Sequence, residues 1–238
     1  MITEAADRLI LALDVPSGDA ARALVEVTRS DVRRYKIGSQ LFTSEGPDLV
    51  RELADQGHGI FLDLKFHDIP NTVAEAARAT AALGVEMFNV HVSGGHDMVA
   101  AAVEASREGA EAAGRTPPKV LGVTVLTSLP GTIEQVVDLA GRAREAGADG
   151  VVASAREAPA IREAADEEFL IVTPGIRPAA SASDDQRRVT TPAEAVAGGA
   201  SFIIVGRPIR AAADPAAAAR AIIVEMEEGE ERREGNGG

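Results

Sequence analysis

The chain has 238 residues, no cysteine, 45% hydrophobic and 3% aromatic residues, and a formal net charge of −13. Disulfides and thiolate metal sites are thereby excluded, an acidic surface repels nucleic-acid phosphates, and rings are too few to build a stacking platform for single strands. The N-terminal MITEAADRLI lacks the apolar core of a secretory signal and no run approaches the roughly 20 apolar residues of a membrane span, so one soluble, cytoplasmic domain is expected.

Short apolar, β-branched runs alternate along the chain with segments rich in Ala, Glu and Arg. LILALDV (9–15) reads as a first strand, and a helix over 19–30 follows, with Ser17-Gly18-Asp19 as its start signal. YKIG (35–38) and IFLDLK (60–65) read as the second and third strands, with a helix over 72–83 after them. MFNVHV (87–92), the turn Ser93-Gly94-Gly95 and a helix over 98–113 come next, then VLGVTVLT (120–127) and a helix over 133–146. GVVAS (150–154), FLIVTPGI (169–176), a helix over 193–197 and SFIIVG (201–206) complete the series. The triplets AGA and GGA, just before the sixth and eighth strands, mark helix ends.

The runs are nearly continuous in apolar character, as in strands buried on both faces of a parallel sheet. Eight strands in strict alternation with helices predict an α/β fold, a single-domain (β/α)8 TIM barrel over residues 1–226. Residues 227–238, charged and Gly-rich, are expected to form a disordered tail.

Such barrels place their chemistry at the C-terminal ends of the strands. There the sequence carries Asp14, Lys36, Asp63 and Lys65 with His67 and Asp68 beyond, Thr127-Ser128, Pro174 to Arg177, and Gly206-Arg207. Asp63 and Lys65, two apart on a strand, share a face. If that face is the barrel interior, opposite charges sit where water is scarce and must be paired. Taken alone, D-x-K fits a structural ion pair as well as a reactive cluster that Lys36 joins. Gly206-Arg207 fits a plain turn or a phosphate site of backbone N–H groups and a bidentate guanidinium; its place after the eighth strand favours phosphate. The polar stretch 178–190 suits a mobile lid or an ordinary surface loop. His58, His67, His91 and His96 lack the spacing of a metal-binding helix and read as structural, Ser128 and Ser154 lack the G-x-S-x-G context, and no G-x-G-x-x-G follows a strand.

FLDLKFHDIPNTV (61–73) resembles the D-x-K-x-x-D region of the orotidine 5′-monophosphate decarboxylases, in its bacterial form. LALDV, YKIG, NVHVSGG, VTVLTS, VTPGIRP, DDQ-RRV-TP and IVGRPI match that family in the same order, over roughly residues 9–225. The resemblance implies a (β/α)8 homodimer that converts orotidine 5′-monophosphate to UMP and CO2 without metal or organic cofactor. It implies that Lys65, Asp63, Lys36 and Asp68 form the catalytic set, with Asp14 and Lys36 on the ribose hydroxyls. Asp68, Ile69 and Thr72 would be lent across the dimer interface. Thr127 and Ser128 would meet the pyrimidine, with Pro178 covering it. Arg177, Gln186, Gly206 and Arg207 would hold the phosphate. Two other readings are weighed against this one. A Mg²⁺-dependent sugar-phosphate decarboxylase, such as one acting on 3-keto-L-gulonate 6-phosphate, shares D-x-K-x-x-D but not the DIPNT and VTPGIRP…DDQ stretches. A non-catalytic nucleotide-binding dimer has no need of the full charged set.

Overall fold

The computed structural model describes residues 4–126, 131–178 and 190–235. Eight parallel strands close into a barrel in sequence order. β1 (Leu9–Ala12) leads to α1 (Gly18–Thr28), β2 (Arg34–Gly38) to the helix pair α2 (Ser39–Glu45) and α3 (Pro47–Asp55), and β3 (Gly59–Phe66) to α4 (Pro70–Ala82). β4 (Met87–His91) precedes α5 (His96–Ala112), β5 (Lys119–Val123) precedes α6 (Ile133–Glu145), and β6 (Gly150–Val152) precedes α7 (Ala158–Ala164). β7 (Leu170–Thr173), α8 (Pro192–Ala197), β8 (Phe202–Val205), the single turn α9 (Arg207–Arg210) and α10 (Pro215–Gly235) complete the order.

The strands are buried on both faces, as their composition predicts. Ile10, Ala12, Phe61, Met87, Leu121, Val172, Phe202 and Ile204 fill the barrel interior as one cluster. The alternate residues, such as Leu9, Leu11, Ile37, Leu62 and Phe88, pack outward with the helices in a second, larger core. This parity fixes which side chains enter the barrel. Continuing it toward the C-terminal ends brings in Asp14, Lys36, Asp63 and Asn89, so charge and amide lie above an apolar floor.

Local signals set the helix ends. Ser17 Oγ accepts from the N–H of Ala20 at 3.3 Å, so the expected start signal is the cap of α1. Thr191 and Glu194 form a reciprocal capping box at α8. Gly147 of AGA and the second glycine of GGA, Gly199, take φ of 86° and 97°, which a residue with a Cβ adopts only at a cost.

Three expectations are corrected. β1, β5 and β7 end at Ala12, Val123 and Thr173, short of the apolar runs that suggested them. Beyond β5 and β7 the apolar character continues because Val125, Leu126, Pro174 and Ile176 line a cavity past the last strand pairs, and beyond β1 Leu13 and Val15 are buried in the outer core. Helices also occupy 39–55 and 158–164, which composition did not single out. Residues 227–235, expected to be a disordered tail, continue α10. Glu230 pairs with Arg8 at 2.6 Å and Arg233 pairs with Glu167, while Ile222 and Met226 are fully buried. Gly229 is a contact point: a Cβ there would stand 2.5 Å from the carbonyl oxygen of Ala193, so its absence lets α10 lie close against α8. Among the described residues no helix is long and apolar enough to cross a membrane.

Candidate active site

The mouth of the barrel holds a cavity of about 390 Å³. Ala12, Phe61, Val152 and Ile204 supply apolar lining from the barrel interior. Asp14, Lys36, Asp63 and Lys65 line it from the ends of β1 to β3, and Arg177, Gly206, Arg207 and Arg210 line it from the ends of β7 and β8. Because β8 pairs with β1, the arginine-bearing and the lysine–aspartate sectors adjoin.

Asp63 is the hub. Its Oδ1 takes the Lys65 ammonium at 2.5 Å and the Asn89 amide at 2.7 Å, and its Oδ2 faces the Lys36 ammonium at 3.2 Å. Lys36 reaches on to Asp14 Oδ1, also at 3.2 Å. The charges therefore alternate along the chain Asp14, Lys36, Asp63, Lys65. Asp63 and Lys36 each keep 12% of their side-chain exposure, and Lys65 keeps 35%, so the Lys65 amine is the accessible end of the deep pair. Burial alone would raise the Asp63 carboxyl; the Lys36 charge, with Lys65 and the Asn89 amide, outweighs it and holds the group below the ordinary carboxylate range. A buried carboxylate bracketed in this way stays ionised, and removal of either cation would raise its pKa and cost stability.

Backbone choices make room for the cluster. The pairing of Gly38 with Asp63 sets β2 and β3 in register. A Cβ at Gly38 would stand 3.1 Å from Lys36 Nζ, inside the space that the amine uses to bridge Asp14 and Asp63.

Of the residues expected at the site, Asp14, Lys36, Asp63, Lys65, Arg177, Gly206 and Arg207 line this one cavity. Pro178, half-buried, directly follows Arg177. Asp68, Ile69 and Thr72 are exposed and are not joined to their own chain's cluster. Asp68 Oδ1 instead accepts the N–H of Ile69 at 2.7 Å. Thr127, Ser128, Gln186 and residues 179–189 of the loop proposed as a lid lie outside the described residues. Two polar residues at the site were not anticipated, Asn89 and Arg210. Asn89 carried a readable signal: it is two residues past the inward Met87 and is the one amide in an apolar run. Arg210 sits one helical turn after Arg207, a relation visible only once 207–210 is known to be helical.

The histidines take other positions. His67 and His91 have ring centroids 5.1 Å apart, His58 meets Tyr35 edge-on at 5.2 Å, and exposed His96 contacts Asp97 at 3.3 Å. Among the described residues no three His, Cys, Asp or Glu side chains gather as a metal-holding group. The arrangement suits an anionic ligand, with arginines along one side of the cavity and the Lys65 amine on the other.

The sequence profile described as "Orotidine 5'-phosphate decarboxylase / HUMPS family" matches residues 7–222. The chain is 53% identical over 235 residues to the orotidine 5'-phosphate decarboxylase of Moorella thermoacetica, covering 94% of this chain and 93% of that one. It is 50% identical over 237 residues to the protein of the same name from Syntrophotalea carbinolica, covering 95% and 97%. Its fold is similar to the crystal structure of orotidine 5'-phosphate decarboxylase from Lactobacillus acidophilus, with a TM-score of 0.82, 40% identity, and 92% and 98% of the two chains covered. The corresponding structure from Pyrococcus horikoshii OT3 gives a TM-score of 0.77 at 29% identity, covering 92% and 99%.

Proposed function

The chain belongs to the orotidine 5'-phosphate decarboxylase / HUMPS family, and from that premise we infer that it removes CO2 from orotidine 5′-monophosphate to give UMP, with Lys65 at the reacting carbon. The observation that carries this reading is the Asp63 carboxylate with one oxygen on Lys65 and the other on Lys36, at a cavity rimmed by arginines.

Breaking the bond between C6 of the pyrimidine and its carboxylate leaves the electron pair on C6. That pair lies in the ring plane, orthogonal to the π system, so the ring cannot delocalise it. Stabilisation must come from a fixed cation, and a poorly hydrated cavity magnifies the effect. The Lys65 ammonium is the accessible cation of the cluster, and it both stabilises the pair and gives C6 its proton. The amine left behind is reprotonated from solvent after product leaves. Asp63 keeps the Lys65 amine aimed before the reaction, without needing to touch the leaving group.

Substrate recognition divides between the two sectors. Asp14 and Lys36 take the ribose hydroxyls. Arg177, Gly206 and Arg207, with Gln186, take the phosphate, and Thr127, Ser128 and Pro178 take the base. Phosphate binding far from the breaking bond lowers the barrier by holding the reacting carbon at Lys65. Asp68, Ile69 and Thr72 serve the other protomer of a homodimer; their exposure, with Ile69 at 66%, supports this. The protein acts in the cytoplasm, where UMP is used.

The test adds orotidine 5′-monophosphate to chelator-treated protein and follows ultraviolet absorbance and released CO2. The expected result is one CO2 per UMP formed. Lys65→Ala is expected to lower turnover at least about 1,000-fold while circular dichroism shows the fold retained. No absorbance change with the unaltered protein, or undiminished turnover in Lys65→Ala, overturns the reading. Activity that disappears with chelator and returns with Mg²⁺ on a sugar phosphate establishes the metal-dependent alternative.

A further inference from the structure

The pairing of β3 with β4 is interrupted at the site. Leu62 stands opposite Phe88, and the next pair is Phe66 with Val90. Three residues of β3, Asp63 to Lys65, therefore face the single residue Asn89, which is a bulge placed at the reacting groups. Within the bulge Lys65 takes φ of 54°; it is the one non-glycine residue with positive φ among the described residues. That conformation is costly for a residue with a long side chain and persists only where its surroundings hold it.

One side chain does the holding. Asn89 is fully buried. Its Oδ1 accepts the backbone N–H of Lys65 at 2.8 Å, and its Nδ2 donates to Asp63 Oδ1 at 2.7 Å. That same Asp63 oxygen receives the Lys65 ammonium. A planar, neutral amide thus ties the main chain of Lys65 to the carboxylate that its side chain must meet. An apolar residue at position 89 would leave the N–H of Lys65 unpaired and take one donor from Asp63. A carboxylate would keep the acceptor but oppose Asp63 with like charge.

We propose that Asn89 is a positioning residue for decarboxylation, which holds the β3 bulge so that the Lys65 amine and the Asp63 carboxylate meet at the reacting carbon. The role rests on the reaction proposed above, and it acts on turnover more than on substrate affinity, because Asn89 does not line the cavity.

The experiment compares the unaltered protein with N89A and N89D, all full-length. It measures kcat, KM, UMP affinity, thermal stability and the carbon-13 titration of the Asp63 carboxyl. In N89A, kcat is expected to fall about 100-fold, since small displacements of reacting groups cost that much, while KM and UMP affinity move less than about fivefold. The Asp63 carboxyl is expected to titrate at higher pH in N89A than in the unaltered protein, having lost a donor. N89D, close to isosteric, is expected to fold, to lose turnover at least as severely, and to show an acid limb of kcat moved toward neutral pH as two carboxyls share a proton. A folded N89A with kcat within about threefold of the unaltered protein overturns the proposal. So does an N89D that loses stability but keeps both kcat and its pH profile. No turnover by the unaltered protein overturns the reaction assignment and this role with it, whereas turnover by the unaltered protein and N89A alike removes only the role of Asn89.

Discussion

A single carboxylate accounts for most of the electrostatics at the mouth of the barrel. Asp63 is costly to bury, yet two ammonium groups and an amide converge on it and keep it charged. Two of the histidines titrate against a different balance. Burial, followed by the charges of His67 and Lys65, lowers the His91 imidazole below its ordinary value, and burial with Arg29 does the same for His58. Well above about pH 6.5 these rings are neutral in both folded and unfolded chains and contribute nothing to pH dependence. As pH falls below that value the unfolded chain takes up protons first, so stability is lost through the window down to the folded values. The urea midpoint is therefore expected to fall between about pH 7.5 and pH 5.5, and the double variant His58→Gln, His91→Gln to lose part of that slope. An unchanged slope in the double variant would place the acid sensitivity elsewhere.

Among the elements, the long C-terminal helix departs most from what its composition suggests. Charged residues and glycine in EEGEERREG have the composition of a solvated tail, and each charge considered alone favours water. Packed against α8, the same residues form a helix whose buried stripe includes Ala219, Ile222 and Met226 and whose glycine admits the backbone of Ala193. Gly229→Ala improves intrinsic helix propensity by about 1 kcal/mol, but its Cβ would collide with a carbonyl oxygen that belongs to another helix. Overpacking of this kind costs about 1–3 kcal/mol, so a net fall in thermal midpoint is expected, read by calorimetry at neutral pH. A rise in the midpoint would mean that the two helices separate easily and that the close approach is not required. The caps behave in the opposite way: Ser17, Thr132 and Thr191 each accept a backbone N–H three residues on, and their role is local enough to read from the sequence.

In the molecule taken as a whole, the barrel brings seven of the expected site residues to one cavity and leaves Asp68, Ile69 and Thr72 at the surface. In the homodimer proposed above, each chain would lend these three to its partner and so complete both sites. The arrangement has a stoichiometric consequence. Inactive Lys65→Ala and Asp68→Ala chains, mixed under exchanging conditions or co-expressed, form hybrid dimers in which one site has both native residues. With half the dimers hybrid and one of two sites restored, activity is expected to recover to about one quarter of the unaltered level. No recovery above the separate variants would show that each chain supplies its own Asp68.

The barrel and the charged cluster were legible because both depend on short-range periodicity. Eight apolar runs alternating with helical segments imply strands covered on both faces, and an i, i+2 spacing sends Asp63 and Lys65 to one side wherever the strand lies. Arg207 and Gly206 follow from the same strand order. What spacing along one strand cannot encode is how that strand meets its neighbour. The three-against-one mismatch between β3 and β4, which puts Asn89 under Lys65, exists only between two strands. The seating of Gly229 on Ala193 exists only between two helices. Both depend on backbone-to-backbone distances that the closed barrel imposes, and those distances turn a buried amide and a glycine in a charged segment into structural anchors.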